Sequence, residues 1–155
     1  MIEIKRCSTD SDFCLALKIT KDYIEWLDMD LSFQEVDNEL SNFSSMYAPP
    51  DGLFLLAREA DELAGGIGLR LLSHGICEMK RLFVYERFRN KHAGSGLCTL
   101  LIKEATRLGC KKMRLDTLGR MKAAIRLYEG LGFRDIAPYR FNPDPTTRYM
   151  ELRLK

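Results

Sequence analysis

CEMKRLFVYERFRNKHAGSGLCTLLIKEA, residues 77–105, reads as a buried strand, a short basic turn and an amphipathic helix with Leu97, Leu100, Leu101 and Ala105 on one face. A strand that feeds a helix N-terminus through small residues leaves backbone N–H groups unpaired and converging on one point, where the helix dipole favours negative charge. The turn, RNKHAGSG (residues 89–96), is neither the GxxxxGK[ST] phosphate loop nor the dinucleotide GxGxxG loop. Its small residues and free donors still suit an anion, so a phosphorylated ligand is expected.

Upstream, Ile2 and Ile4 alternate with polar residues as a short strand. Residues 8–12, STDSD, supply caps for a helix whose apolar positions are Phe13, Ala16, Leu17, Ile24 and Leu27. Ser32 and Glu35 have capping-box spacing for a second helix, with Phe33, Val36, Leu40 and Phe43 as its buried stripe. Tyr23 and Trp26 are expected in the core or at its rim. Two prolines in YAPPDG (residues 47–52) stop that helix. LFLLARE (53–59) and ELAGGIGLRLL (62–72) then form a hairpin about Ala60 and Asp61, in which Gly65, Gly66 and Gly68 allow a bulge or the close approach of another group. A third strand spans about 76–85.

Downstream, the helix after the basic turn ends near Gly109, residues 112–117 form a strand, and residues 121–131 form a helix with Ala124, Ile125, Tyr128 and Leu131 inward. Residues 133–137 and 148–154 pair as final strands around a loop holding Pro138, Pro143 and Pro145. The order β-α-α-β-β-β-α-β-α-β-β predicts a mixed α/β (α+β) fold: a largely antiparallel central sheet flanked by helices, in a single domain over residues 1–155.

The net charge of +2 conceals a strong asymmetry, because residues 1–79 hold 6 Lys+Arg against 15 Asp+Glu, whereas residues 80–126 hold 13 against 3. The basic segment contains the turn, as a polyphosphate ligand requires, and the acidic half could attract a cationic second ligand. Nucleic-acid binding is not expected, since no recognition motif or interleaved surface aromatics accompany that charge. No apolar run approaches the roughly 20 residues needed to cross a bilayer, and MIEIKR lacks a signal-peptide core, so the expected location is cytoplasmic, with no membrane partner. The five cysteines are odd in number and lack CxxC spacing, which suits reduced packing residues. His74 and His92 have no clustered ligand partners, so no metal site is expected.

Together, the basic turn, the preceding MKRLFV strand and the MKAAIRLYEGLGF helix (residues 121–133) resemble the GNAT superfamily of acyl-CoA-dependent N-acetyltransferases. That family carries Q/R-x-x-G-x-G/A after its fourth strand; Arg89 matches the first position and Gly94 the last, while His92 stands where glycine is usual. The resemblance implies the acyl-CoA N-acyltransferase fold, with acetyl-CoA as cofactor. The backbone of Leu82, Phe83 and Val84 would pair with the pantetheine arm, and N–H groups of Arg89, Asn90, Lys91, His92, Ala93, Gly94 and Ser95 would hold the pyrophosphate. Tyr128 would protonate the departing thiolate, and Glu78, on the strand feeding the turn, would serve as base. Met121 occupies a position where relatives have asparagine, so that contact is missing or falls to Asp116 or Thr117. Lys122 and Arg126 could meet the adenosine phosphates.

The implied reaction moves an acetyl group to a primary amine by direct attack in a ternary complex. The acceptor would enter between the first two helices and residues 139–145, near Glu35, Tyr47, Tyr139 and Asn142. A polyamine, an aminoglycoside, an amino acid and a protein N-terminus all remain open, and a homodimer is compatible with the sequence. The competing reading is a non-catalytic acyl-CoA binding or sensing domain, motivated by His92 and Met121.

Overall fold

The computed structural model describes residues 1–28 and 36–155. Seven strands form one sheet in the order β1-β2-β3-β4-β5-β7-β6: β1 (Ile2–Arg6), β2 (Gly52–Glu59), β3 (Glu62–Ser73), β4 (Ile76–Val84), β5 (Lys112–Thr117), β6 (Arg134–Asp135) and β7 (Arg148–Arg153). Every pairing is antiparallel except β4 with β5. Helices α1 (Asp10–Leu27), α2 (Val36–Ser41) and α3 (Phe43–Met46) belong to one face, and α4 (Ala93–Arg107) and α5 (Lys122–Leu131) to the other. The expected element order and the mixed, largely antiparallel sheet are both present.

The larger apolar cluster packs Leu97, Leu101 and Ala105 of α4 and Tyr128 of α5 against Leu55, Ile67, Met79, Met113 and Met150 of the sheet. Each such large side chain contributes about 1.5–3 kcal/mol when fully buried. The second cluster sets Ala16 and Ile19 of α1 with Phe43, Tyr47 and Phe54 on the opposite face. Glycine at position 68 is required there, because a Cβ would lie 2.6 Å from the Tyr47 ring.

Local signals placed most boundaries. Thr9 caps α1 in a reciprocal box with Asp12, and Glu59 pairs with Glu62 around the two-residue turn. Two expectations need correction, while the Ser32–Glu35 capping box and Phe33 lie outside the described residues. Within them the second helix is two pieces, α2 and α3, and the buried side chain of α2 is Glu39 rather than Val36 or Leu40. Glu39 can be buried because Arg81 neutralises it from β4. The strand expected over residues 133–137 shrinks to Arg134 and Asp135, which limits β6 to two residues paired with β7. Cys7, Cys77, Cys98 and Cys110 are buried, whereas Cys14 is exposed. No described helix is long and apolar enough to cross a membrane.

Candidate active site

β4 and β5 pair only through residues 76–78 and 112–114, after which β4 follows β3 and β5 follows β7. A bulge promotes the divergence: between Gly66 and Gly68 of β3 the partner strand advances from Phe83 to Lys80, and Arg81 takes up the extra residue with φ 60°. The strands part into a cleft of about 70 Å³ walled by residues 79–82 of β4, residues 115–118, Met121, Ala124 and Tyr128 on the α5 side, Tyr23 and Leu27 of α1, and Asn142.

At one end of β4 the basic turn offers backbone rather than charge. Asn90 and His92 have φ of 66° and 65°, so left-handed residues alternate with Lys91 and form a concave nest leading into α4. The N–H groups of residues 90–95 donate to no group among the described residues. The cationic side chains turn elsewhere: Lys91 Nζ lies 2.8 Å from Glu59, and Arg89 Nε donates to the Val84 carbonyl at 3.0 Å with its guanidinium over Trp26. A nest of unpaired donors at the N-terminus of a long helix fits a pyrophosphate, and the open edge of β4 fits an extended amide-bearing arm.

His92 caps α4 with a backbone that favours glycine and makes no side-chain capping bond. His92→Gly is therefore expected to raise stability by about 0.5–1 kcal/mol, the relief of left-handed strain exceeding the entropy gained by the unfolded chain. His92→Val, β-branched, is expected to lower it; urea midpoints check both.

Tyr128 is 6% exposed, lines the cleft, and packs on Phe133 with ring centroids 5.8 Å apart. Burial holds its phenol protonated, well above the ordinary tyrosine range, with Cys98, Tyr23 and Asp116 adding to the shift. The hydroxyl bonds to no described residue, so it is free to donate its proton in the cleft.

Glu78 is buried and already engaged. Its Oε2 accepts the Tyr139 hydroxyl at 2.6 Å and lies 2.6 Å from Arg140 Nη2, while Oε1 stands 4.0 Å from Lys80 Nζ. Burial, then the nearby Arg81 charge, lowers the Lys80 ammonium below the usual lysine range despite Glu78 and Glu39. Asp116 lines the same cleft, and its Oδ2 is buried without a partner among the described residues.

The cleft thus gathers Tyr128, Leu82 and Asn142, with Glu78 and Tyr139 bonded together alongside. Asn142 turns its Oδ1 to the Asp144 N–H. Phe83 is buried beneath Tyr23 and Trp26. Lys122 and Arg126 are exposed on α5. Glu35 lies outside the described residues. Tyr47 is a correction: it is fully buried and donates its hydroxyl to Glu39 at 2.8 Å, so it presents no group to an acceptor. Sequence reasoning missed Glu39, Arg81 and Arg140. The charged residues Glu78, Lys80 and Arg81 set among apolar ones in β4 were the local signal that partners must face that strand.

A parallel strand pair that splays beside an anion nest, with a protonated tyrosine between, is the architecture of an acyl-CoA-dependent transferase. The profile described as the acetyltransferase (GNAT) family matches residues 20–133. An uncharacterised N-acetyltransferase of Schizosaccharomyces pombe is 39% identical over 140 residues, covering 88% of this chain and 85% of that one. A GNAT-family acetyltransferase structure from Staphylococcus aureus superposes with a TM-score of 0.80 at 23% identity over the whole of both chains. The Salmonella typhimurium YncA structure, solved with acetyl-CoA, gives 0.76 at 20% identity, covering 99% of this chain and 94% of that one. The chain belongs to the GNAT family of acetyltransferases.

Proposed function

We propose that the protein transfers the acetyl group of acetyl-CoA directly to a primary amine, with both substrates bound together and Tyr128 as the general acid. The observation that carries this reading is the protonated Tyr128 lining the cleft that opens where β4 leaves β5; the nest of unpaired donors, where the chain runs from β4 into α4, supports it. The nest N–H groups hold the pyrophosphate, residues 82–84 receive the pantetheine arm, and Lys122 and Arg126 face the adenosine end. The bound thioester supplies an activated acyl carbon and a thiolate leaving group. Tyr128 keeps its proton at neutral pH and delivers it to the sulfur. The acceptor approaches past Tyr139 and Asn142. Unpaired, mostly buried cysteines suit a reducing compartment, and we place the protein in the cytoplasm.

Screening an amine library for CoA release by the purified protein tests the reading. Turnover with at least one amine is expected. Binding provides a separate signal, because Trp26 is the single tryptophan and Arg89 lies 5.2 Å from its ring. Pyrophosphate binding that draws Arg89 away is expected to change Trp26 fluorescence saturably. Saturable binding with no CoA release across the library would favour the acyl-CoA sensing alternative.

A further inference from the structure

We propose that Asp116, rather than Glu78, accepts the proton of the acceptor's ammonium group. The inference rests on the acetyltransferase reading above and assigns that reaction its base.

Two carboxylates are candidates for the base, and their surroundings differ. Protonating Glu78 would sacrifice an ion pair with Arg140 and force the Tyr139 hydroxyl to find another acceptor. Asp116 has no such commitments. It sits near the C-terminal end of β5, where β4 has already turned away, and lines the cleft together with Tyr128. Its Oδ2 is buried with no hydrogen-bond partner among the described residues. A folded protein rarely leaves a buried carboxylate oxygen unpaired, and such an orphan in a cleft is a vacancy for a donor that comes with the ligand. An ammonium is such a donor.

The surrounding charges support the role. Glu78, Lys80 and Arg81 face Asp116 from β4, and Arg140 faces it from the loop after β6. The hydroxyls of Tyr23, Tyr128, Tyr139 and Tyr149 face it from α1, α5, that loop and β7. Burial, followed by the Glu78 charge, raises the Asp116 carboxyl above the ordinary aspartate range, against the pull of Arg140, Lys80 and Arg81. A carboxylate so raised is a better proton acceptor near neutral pH.

The step balances as follows. One ammonium N–H bond breaks, its proton passing to Asp116 and its electron pair staying on nitrogen. That pair forms the carbon–nitrogen bond to the acyl carbon while the carbon–sulfur bond yields its pair to sulfur. Tyr128 protonates the sulfur and is restored by the second proton shed from nitrogen. Asp116 releases its own proton to water.

The test compares Asp116→Asn, Asp116→Glu and Glu78→Gln with the parent, using an amine found by CoA release. Asp116→Asn is expected to lower kcat/KM about 10²–10⁴-fold and to abolish the acid limb of its pH profile; Asp116→Glu is expected to regain part of the rate. Melting of the ligand-free proteins gives a readout independent of turnover. The cost of the raised Asp116 carboxylate is present at neutral pH and vanishes as falling pH protonates it. The Asn variant should therefore melt at or above the parent at pH 7, with the difference shrinking on acidification. Parental kcat/KM in Asp116→Asn, an acid limb that disappears in Glu78→Gln instead, or an Asn variant melting well below the parent at pH 7 would each overturn the assignment. Absence of CoA release by the parent with every amine overturns the acetyltransferase reading and this role with it. Release by the parent that survives Asp116→Asn overturns the role alone.

Discussion

Tyr128→Phe is expected to lower kcat about 10²–10⁴-fold, the usual contribution of a positioned general acid, while leaving the affinity for CoA and the thermal midpoint near their parental values. That loss corresponds to about 2.7–5.5 kcal/mol of barrier. The separation of effects follows from the geometry. The ring fills a buried position against Phe133, and phenylalanine preserves that packing. Because the hydroxyl bonds to no described residue, its removal strips no structural hydrogen bond and leaves no orphaned partner. Steady-state CoA release, Trp26 fluorescence titration and a thermal melt together check the three claims. A Tyr128→Phe protein that turns over at the parental rate would remove the acid from this tyrosine.

The largest stability effect is expected at Glu39, the buried side chain of α2. Glu39 is 1% exposed; its carboxylate accepts Arg81 Nε at 3.1 Å, lies 2.6 Å from Arg81 Nη2, and receives the Tyr47 hydroxyl. Glu39→Ala would strand the buried Arg81 guanidinium without this carboxylate and should cost about 3–5 kcal/mol. For a chain of this length that lowers the thermal midpoint by about 6–20 °C. The Glu39→Leu/Arg81→Met pair, which removes both charges, is expected to lose less than Glu39→Ala. The effect also has a pH signature. Burial raises the Glu39 carboxyl, but hydrogen bonds and charge from Arg81 outweigh it, so the folded value lies below the model-compound 4.5. A lowered folded value means that this stabilisation is fully present above pH 4.5 and is lost as the pH falls through the folded value. Melts of the parent and Glu39→Gln from pH 7 downward should converge in that acidic window. The pair matters for the site because Arg81 is the bulged residue of β4 just beyond Glu78, the last residue of β4 that pairs with β5.

A charged interior thus lies beneath α2 and the loop after β6. Glu78, Lys80 and Arg81 project from β4, Glu39 reaches from α2, Arg140 closes from the loop, and Asp116 completes the set from β5. The paired members Glu78, Lys80, Arg81, Glu39 and Arg140 hold one another by mutual compensation: removing one of them exposes the others to desolvation they cannot meet alone. In the proposed reaction the entering amine would meet Asp116, whose Oδ2 is buried with no hydrogen-bond partner among the described residues.

Periodicity and caps placed the strands, helices and turns because they report local backbone preferences and the face each element buries. The apolar runs of residues 53–59 and 62–72 about a two-residue turn, the Thr9–Asp12 box and the glycine closing α5 are all local, and each needs only a few neighbouring residues to act. The anion nest was legible for the same reason, since a basic turn before a long helix contains its own donors. The tertiary structure alone decided which carboxylates are free. Glu78 meets Tyr139 across 61 positions and Glu39 meets Arg81 across 42, separations over which no spacing rule operates. A buried charge is tolerated only where distant chain returns its partner, so the sequence could name the carboxylates of the cleft but not distinguish the engaged Glu78 from the unpaired Asp116.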